Sequence, residues 1–169
     1  MESTERAWLA GIWDGEGTIS LYARSIKPPS PSTRHRRNYE YEPKRYLPLM
    51  AVVNSHFPLG ERIHQMLTEM EVVHYFLRKV RSRSSFSQRE MWTIHIHGMQ
   101  PAKRLLAELW PYLFVKRDEA EQLQRWITIA ESRDNHLSYT EEQHAIARSL
   151  RKRVTWRSAA KLDRDESIG

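Results

Sequence analysis

The chain has 169 residues, of which 40% are hydrophobic and 10% aromatic, and it contains no cysteine. This is the size of one domain with a core of its own, and the lack of cysteine excludes disulfide scaffolds, Fe–S clusters, Cys-based zinc sites and thiol nucleophiles. The net charge of +6 points towards a polyanionic partner rather than an acidic one. Residues 3–15 (STERAWLAGIWDG) read as a helix with Ser3 or Thr4 as N-cap. TISLYAR (18–24) alternates and is β-branched, which predicts a strand. Residues 25–45 hold four prolines and several serines and read as a long connection. YLPLMAVVN (46–54) is a second strand, and 58–71 a helix with Pro58 in its first turn. HYFLRKV (74–80) and REMWTIHIH (89–97) form a hairpin. Residues 101–110 form a helix with Pro101 at N1, stopped by Pro111. A helix over 116–131 follows, then one from Thr140 to about Val154 with a Thr140/Gln143 capping box. The expected fold is α+β, with a four-stranded antiparallel sheet and helices on one face. Residues 1–135 are expected to form the core and 136–169 a helical extension of the same domain.

No apolar run approaches the ~18 residues of a membrane span, and the start MESTERAW has two acids and no apolar h-region, so no membrane partner and no secretory signal are expected. The positive charge is concentrated in two windows. Arg24, Lys27, Arg34, Arg36, Arg37, Lys44 and Arg45 face only Glu40 and Glu42 across residues 24–45, a net +5. Arg78, Lys79, Arg81, Arg83 and Arg89 face only Glu90 across 78–90, a net +4. Solvated loops are the plainer explanation, but two basic windows flanking strands favour a nucleic-acid face. In the last strand Trp92, Ile94 and Ile96 alternate with Thr93, His95 and His97. The alternation predicts that Thr93 and His95 point outward with the basic windows. His95 and His97 share a face and could instead be metal ligands, although no third ligand is apparent.

The first helix carries two unusual features. Ala7, Gly11 and Gly15 fall at i, i+4 and i+8, with Ala10 beside them. Glycine inside a helix costs about 0.5–1 kcal/mol relative to alanine, so a closely packed second helix is expected along this stripe, from the same chain or another. At the helix end, Asp14 and Glu16 bracket Gly15 against the negative pole of the dipole. Oxygen-rich and negative, the end suits a hard cation such as Mg2+. The alternative is that Asp14 caps a neighbouring backbone and Glu16 is solvated.

Residues 9–17, LAGIWDGEG, resemble the LAGLIDADG signature of homing endonucleases, with five of nine positions identical. The predicted element order matches that family's αββαββα core. The resemblance extends to AVVN (51–54) and to LWPYLFVKR (109–117), and covers roughly residues 4–131. Only one motif is present, which implies the homodimeric branch, with motif helices packed through Ala7, Ala10, Gly11, Asp14 and Gly15. The resemblance implies Glu16 as the metal-binding acid, with the Gly15 carbonyl as a further ligand and Mg2+ as cofactor; Mn2+ or Ca2+ can occupy such a site. It implies Asn54, or Ser55 by a one-residue shift, as a water-ordering residue, and Lys116 as the active-site lysine. A lysine at a helix start opposes the dipole, which also singles Lys116 out. An expected arginine after Asn54 is absent, with His56 and Arg62 nearest.

The implied activity is that of an intron- or intein-associated homing endonuclease making a site-specific double-strand cut in a long pseudo-palindromic target. Two Glu16 carboxylates near the two-fold axis would repel; a divalent cation removes that repulsion and supports in-line phosphodiester hydrolysis. Non-cleaving relatives are the rival: an RNA maturase or a DNA-binding regulator on the same fold. A small RNA-binding α+β module is a third reading and requires exposed sheet aromatics. The excess of Arg over Lys, 20 to 7, suits a GC-rich gene, hence the cytoplasm or nucleoid of a prokaryote rather than an organelle.

Overall fold

The computed structural model describes residues 2–25, 44–79, 90–133 and 138–154. Helix α1 (Ser3–Glu16) leads into β1 (Gly17–Ser25) and β2 (Lys44–Asn54), then α2 (Phe57–Glu69), β3 (Tyr75–Lys79) and β4 (Met91–His97). Helices α3 (Met99–Leu109), α4 (Arg117–Ser132) and α5 (Glu141–Val154) follow, with one 3-10 turn, Trp110–Tyr112, before α4. The element order is the one the sequence predicts, and the chain is α+β. Among the described residues no helix is long and apolar enough to cross a membrane.

The sheet order is β1-β2-β4-β3, antiparallel throughout. Alternation along each strand decides what faces the helices. Ile19 and Leu21 of β1, Met50 and Val52 of β2, and Trp92, Ile94 and Ile96 of β4 are all buried against the helical layer. There they join Leu9 and Trp13 of α1, Ile63 and Leu67 of α2, Leu105 and Leu109 of α3, and Leu123 and Trp126 of α4. Helix α5 adds Ile146, Ala147 and Leu150 to the same core and packs on β1 and α4. The Thr140/Gln143 capping box forms as the sequence predicts, with both reciprocal bonds at 3.1 Å.

Several boundaries depart from expectation for local reasons. The amide of Glu2, not Ser3 or Thr4, is met by a side chain at the start of α1: it donates to Glu5 Oε2 at 3.1 Å. Helix α3 begins two residues before Pro101, because Gly98 takes φ 98° as its N-cap and donates to the Pro48 carbonyl at 3.0 Å. Pro101 still lies in the first turn, where its missing N–H has no partner to lose. Helix α2 stops at Glu69, and Glu71 adopts φ 52° to turn the chain towards β3. Both strands of the first hairpin run longer than predicted, so Lys44 and Arg45 join Arg24 as strand residues.

Trp92 anchors β4 to α2. Its indole lies on α2 at Gly60 and donates to the His56 carbonyl at 2.8 Å. A Cβ at Gly60 would stand 2.7 Å from that ring, so the site is overpacked by a single methyl group. Gly60→Ala is expected to destabilise the fold by about 1–3 kcal/mol, read as a lower urea midpoint with an unchanged slope.

Candidate active site at the end of α1

The C-terminal end of α1 is tied to the segment between the 3-10 turn and α4. The Asp14 carboxylate accepts from the backbone amides of Phe114 (2.8 Å) and Lys116 (2.9 Å). In return the Lys116 ammonium donates to the Asp14 main-chain carbonyl at 2.5 Å. A cation on a free carbonyl at a helix C-terminus is electrostatically favourable, so Lys116 has a structural role as well as an unfavourable position at the start of α4. Asp14 thus caps a neighbouring backbone, one of the two alternatives its sequence allowed. Partial burial pushes its carboxyl upward; against this, the amides of Lys116, Phe114 and Val115 and then the Lys116 charge hold it below the ordinary value of 3.8.

Glu16 ends the same helix, exposed to solvent. Among the described residues no side chain or amide is bonded to its carboxylate. Gly17 follows in extended backbone and opens β1, and a Cβ there would meet Trp13 at 2.7 Å. Asn54 stands at the end of β2, two residues beyond Val52, which pairs with Gly17. The structure therefore brings Glu16, Asn54 and Lys116 to the same end of the molecule. The Asn54 side-chain oxygen accepts from the His56 amide at 2.9 Å. Arg62 is placed elsewhere: it pairs with Glu5 in the first turn of α1, roughly 16 Å along the helix from Glu16 at 1.5 Å per residue.

The small-residue stripe separates into two kinds of position. Ala7, Gly11 and Gly15 are exposed, and a Cβ at Gly11 or Gly15 would meet nothing within 4 Å. Among the described residues no helix packs there. Ala10 departs from expectation: it is fully buried in the core of its own chain and is not available to a second one.

The expected DNA-contacting residues also divide. Arg24 and Arg45 are exposed, directly opposite each other in the β1–β2 ladder, on the sheet face away from the helices. Lys44 pairs with Ser25 at the end of that ladder, and Lys79 closes β3. Lys27, Arg34, Arg36, Arg37, Arg81, Arg83 and Arg89 lie outside the described residues. Arg78 departs from expectation: it sits on the helix side, 5.0 Å over the Phe57 ring and 3.4 Å from Glu61. Thr93 also departs. It is on the open face but only 1% exposed, covered in the central strand between its flanking partners Val53 and Leu77. His95 is half-buried, its ring stacked on His97 at 5.4 Å, and no set of three metal-ligating side chains forms among the described residues. The open face shows what strand-four alternation alone missed: Tyr22, Tyr75, Val53 and Leu77 are all at least 43% exposed.

No family model and no curated protein matches the chain. Solved structures do. The chain is similar to the homing endonuclease I-CvuI in complex with a DNA target, at 17% identity and TM-score 0.52, over 87% of this chain and 94% of that one. It is similar to the archaeal intron-encoded homing endonuclease I-Vdi141I complexed with DNA, at 10% identity and TM-score 0.54, over 90% and 98%. It is also similar to the LAGLIDADG homing endonuclease I-GzeII in complex with its DNA target, at 12% identity and TM-score 0.54, over 86% of this chain but 42% of that one. The chain has the LAGLIDADG homing endonuclease fold. Within that fold LAGIWDGEG occupies the end of α1 and the first residue of β1, so the sequence motif and the architecture coincide.

The Asp14 clasp is expected to be measurable. Asp14 lies low, so its stabilisation is present in full above 3.8 and lost as the pH falls through the lower folded value. Asp14→Asn should cost about 1 kcal/mol at pH 7. In chemical denaturation, the gap from the parent should close as the pH drops below that of an ordinary aspartate.

Proposed function

We propose that the chain is a site-specific DNA endonuclease of the homing type, intron- or intein-associated, acting on double-stranded DNA as a homodimer with a divalent cation. The observation that carries this reading is the exposed, unpartnered Glu16 carboxylate at the end of a helix whose Gly11 and Gly15 face is bare. A bare glycine face keeps the conformational cost of glycine with no packing to offset it, and a second α1 supplies that packing. Trp8, Phe114 and Val115, at 42%, 87% and 67% exposed, add apolar area on α1 and beside its end, which favours a covered face. I-CvuI and I-Vdi141I are spanned almost whole by this chain, whereas I-GzeII is more than twice the length matched. A second copy would supply what the longer protein carries in one chain.

The donor set fits Mg2+ or Ca2+. The Glu16 carboxylate and the Gly15 carbonyl, in the last turn where carbonyls lack helical partners, are hard oxygens. Too few ligands come from one chain, and the second chain and the DNA would complete the shell. Structures of I-CvuI with DNA were solved with Mg or with Ca present. When bound, such a cation supplies Lewis-acid assistance to phosphodiester hydrolysis. The chain's own residues then have separable roles. Glu16 holds the negative charge that recruits the cation. Lys116, fixed on the Asp14 carbonyl, holds a positive charge at the same helix end, where charge builds on the phosphate. Asn54 has its oxygen occupied by His56, which leaves its NH2 to donate to water. Arg24 and Arg45 suit phosphate, and the strand side chains around them suit base edges in a major groove.

A second reading has one observation in its favour. The exposed Tyr22 and Tyr75 could stack unpaired bases, as in an RNA-binding relative that does not cleave. That reading requires single-stranded RNA to bind as tightly as the duplex and the duplex to stay uncut.

Glu16→Gln is expected to abolish Mg2+-dependent cleavage of a plasmid carrying the intron-less target and to leave DNA affinity within about threefold, since the amide keeps the shape and loses the charge. Wild-type cleavage by Glu16→Gln would remove the assigned role. The protein should sediment as a dimer at micromolar concentration, and Gly11→Leu should give a folded monomer, because a large side chain cannot fit between close helix backbones.

A further inference from the structure

At the opposite edge of the sheet from β1, two histidines converge. His64 on α2 and His74 at the entry to β3 place Nδ1 and Nε2 2.6 Å apart. The rings meet at 66° with centroids 4.9 Å apart. His74 is oriented from behind, its Nδ1 lying 2.7 Å from the Val72 carbonyl. That contact assigns the Nδ1 proton and leaves Nε2 as a lone pair aimed at His64. The His64 ring stacks on Phe76 at 5.4 Å and 29°, so both rings are held before anything binds. His64 is exposed and His74 half-buried, which leaves the pair open to solvent.

We propose that His64 and His74 form a two-histidine site for a borderline divalent cation of the Zn2+ and Cu2+ class, fastening α2 to β3 across the turn at Glu71. A backbone carbonyl fixing the remote ring nitrogen is the support a ligating imidazole characteristically has. With M–N bonds of ~2.0 Å and a near-tetrahedral angle the two nitrogens stand about 3.3 Å apart, so the pair opens by a fraction of an ångström to admit the ion. His64 shifts its proton from Nδ1 to Nε2, and no net proton is released. Imidazole nitrogens disfavour Mg2+, so this site does not compete for the cation proposed at Glu16, three strands away. With two protein ligands the remaining positions hold water, and binding is moderate.

The test is thermal unfolding of the full chain with ZnCl2. One millimolar Zn2+ is expected to raise Tm by about 3 °C for a dissociation constant near 0.1 mM, and MgCl2 at the same concentration should not. His64→Gln and His74→Gln should each remove the zinc shift, while His95→Gln should keep it. Should His74→Gln fail to fold, substoichiometric Cu2+ added to the wild type should broaden amide resonances centred on residue 64 and residues 72–75. No zinc shift, a shift that survives both substitutions, one lost in His95→Gln, or broadening centred at His95 and His97 would each overturn the proposal.

Discussion

The geometry around Glu16 depends on one reciprocal contact: the Asp14 carboxylate on two amides, and the Lys116 ammonium on the Asp14 carbonyl. Each half answers an unmet need. The amides of 114 and 116 lie outside regular secondary structure, and the last carbonyls of α1 have no helical partner. Joining them fixes the end of α1 to the start of α4 over a separation of about 100 residues. Glu16 is then the first acidic residue beyond the clasp, free because Asp14 takes the neighbouring amides instead. The two acids of the motif differ for that reason, Asp14 being engaged and Glu16 open to solvent.

The helix carrying these groups is amphipathic in an uncommon sense. One side, Leu9, Ala10 and Trp13, is wholly buried. The other, Ala7, Gly11 and Gly15, has almost no side chain. Large residues anchor α1 to its own sheet, and small ones leave backbone available for close approach. Trp13 in the motif, where an aliphatic residue is usual in the family's signature, extends the buried side and packs beneath Gly17. The exposed Phe114 and Val115 lie beside the end of the bare face because the clasp carries them there.

Much of this could be read from residue order. Helical spacing gave α2 and α4, alternation gave the strands, and LAGIWDGEG pointed to the candidate site. Other features were illegible because they are properties of neighbours rather than of local pattern. Thr93 reads as outward, and it does face outward, but a central-strand threonine is covered by the longer side chains on either side. Ala10 belongs to the small-residue group by type, yet sits one position round the helix, in the core. Arg78 follows the basic window in sequence and the opposite sheet face in space. The partner of Asp14 lay a hundred residues away, and no spacing rule encodes it.

The pairing of Arg24 with Arg45 has a consequence for the sheet itself. They are direct neighbours across two antiparallel strands near the end of the ladder, and like charges so placed push the strands apart. Such repulsion weakens the interstrand hydrogen bonds at that end, and a polyanion lying over both guanidinium groups would relieve it. Amide protons in this part of β1 and β2 are then expected to exchange faster in the free protein than in a complex with DNA. Under the proposed function, DNA binding and the tightening of this end of the sheet would be one coupled equilibrium.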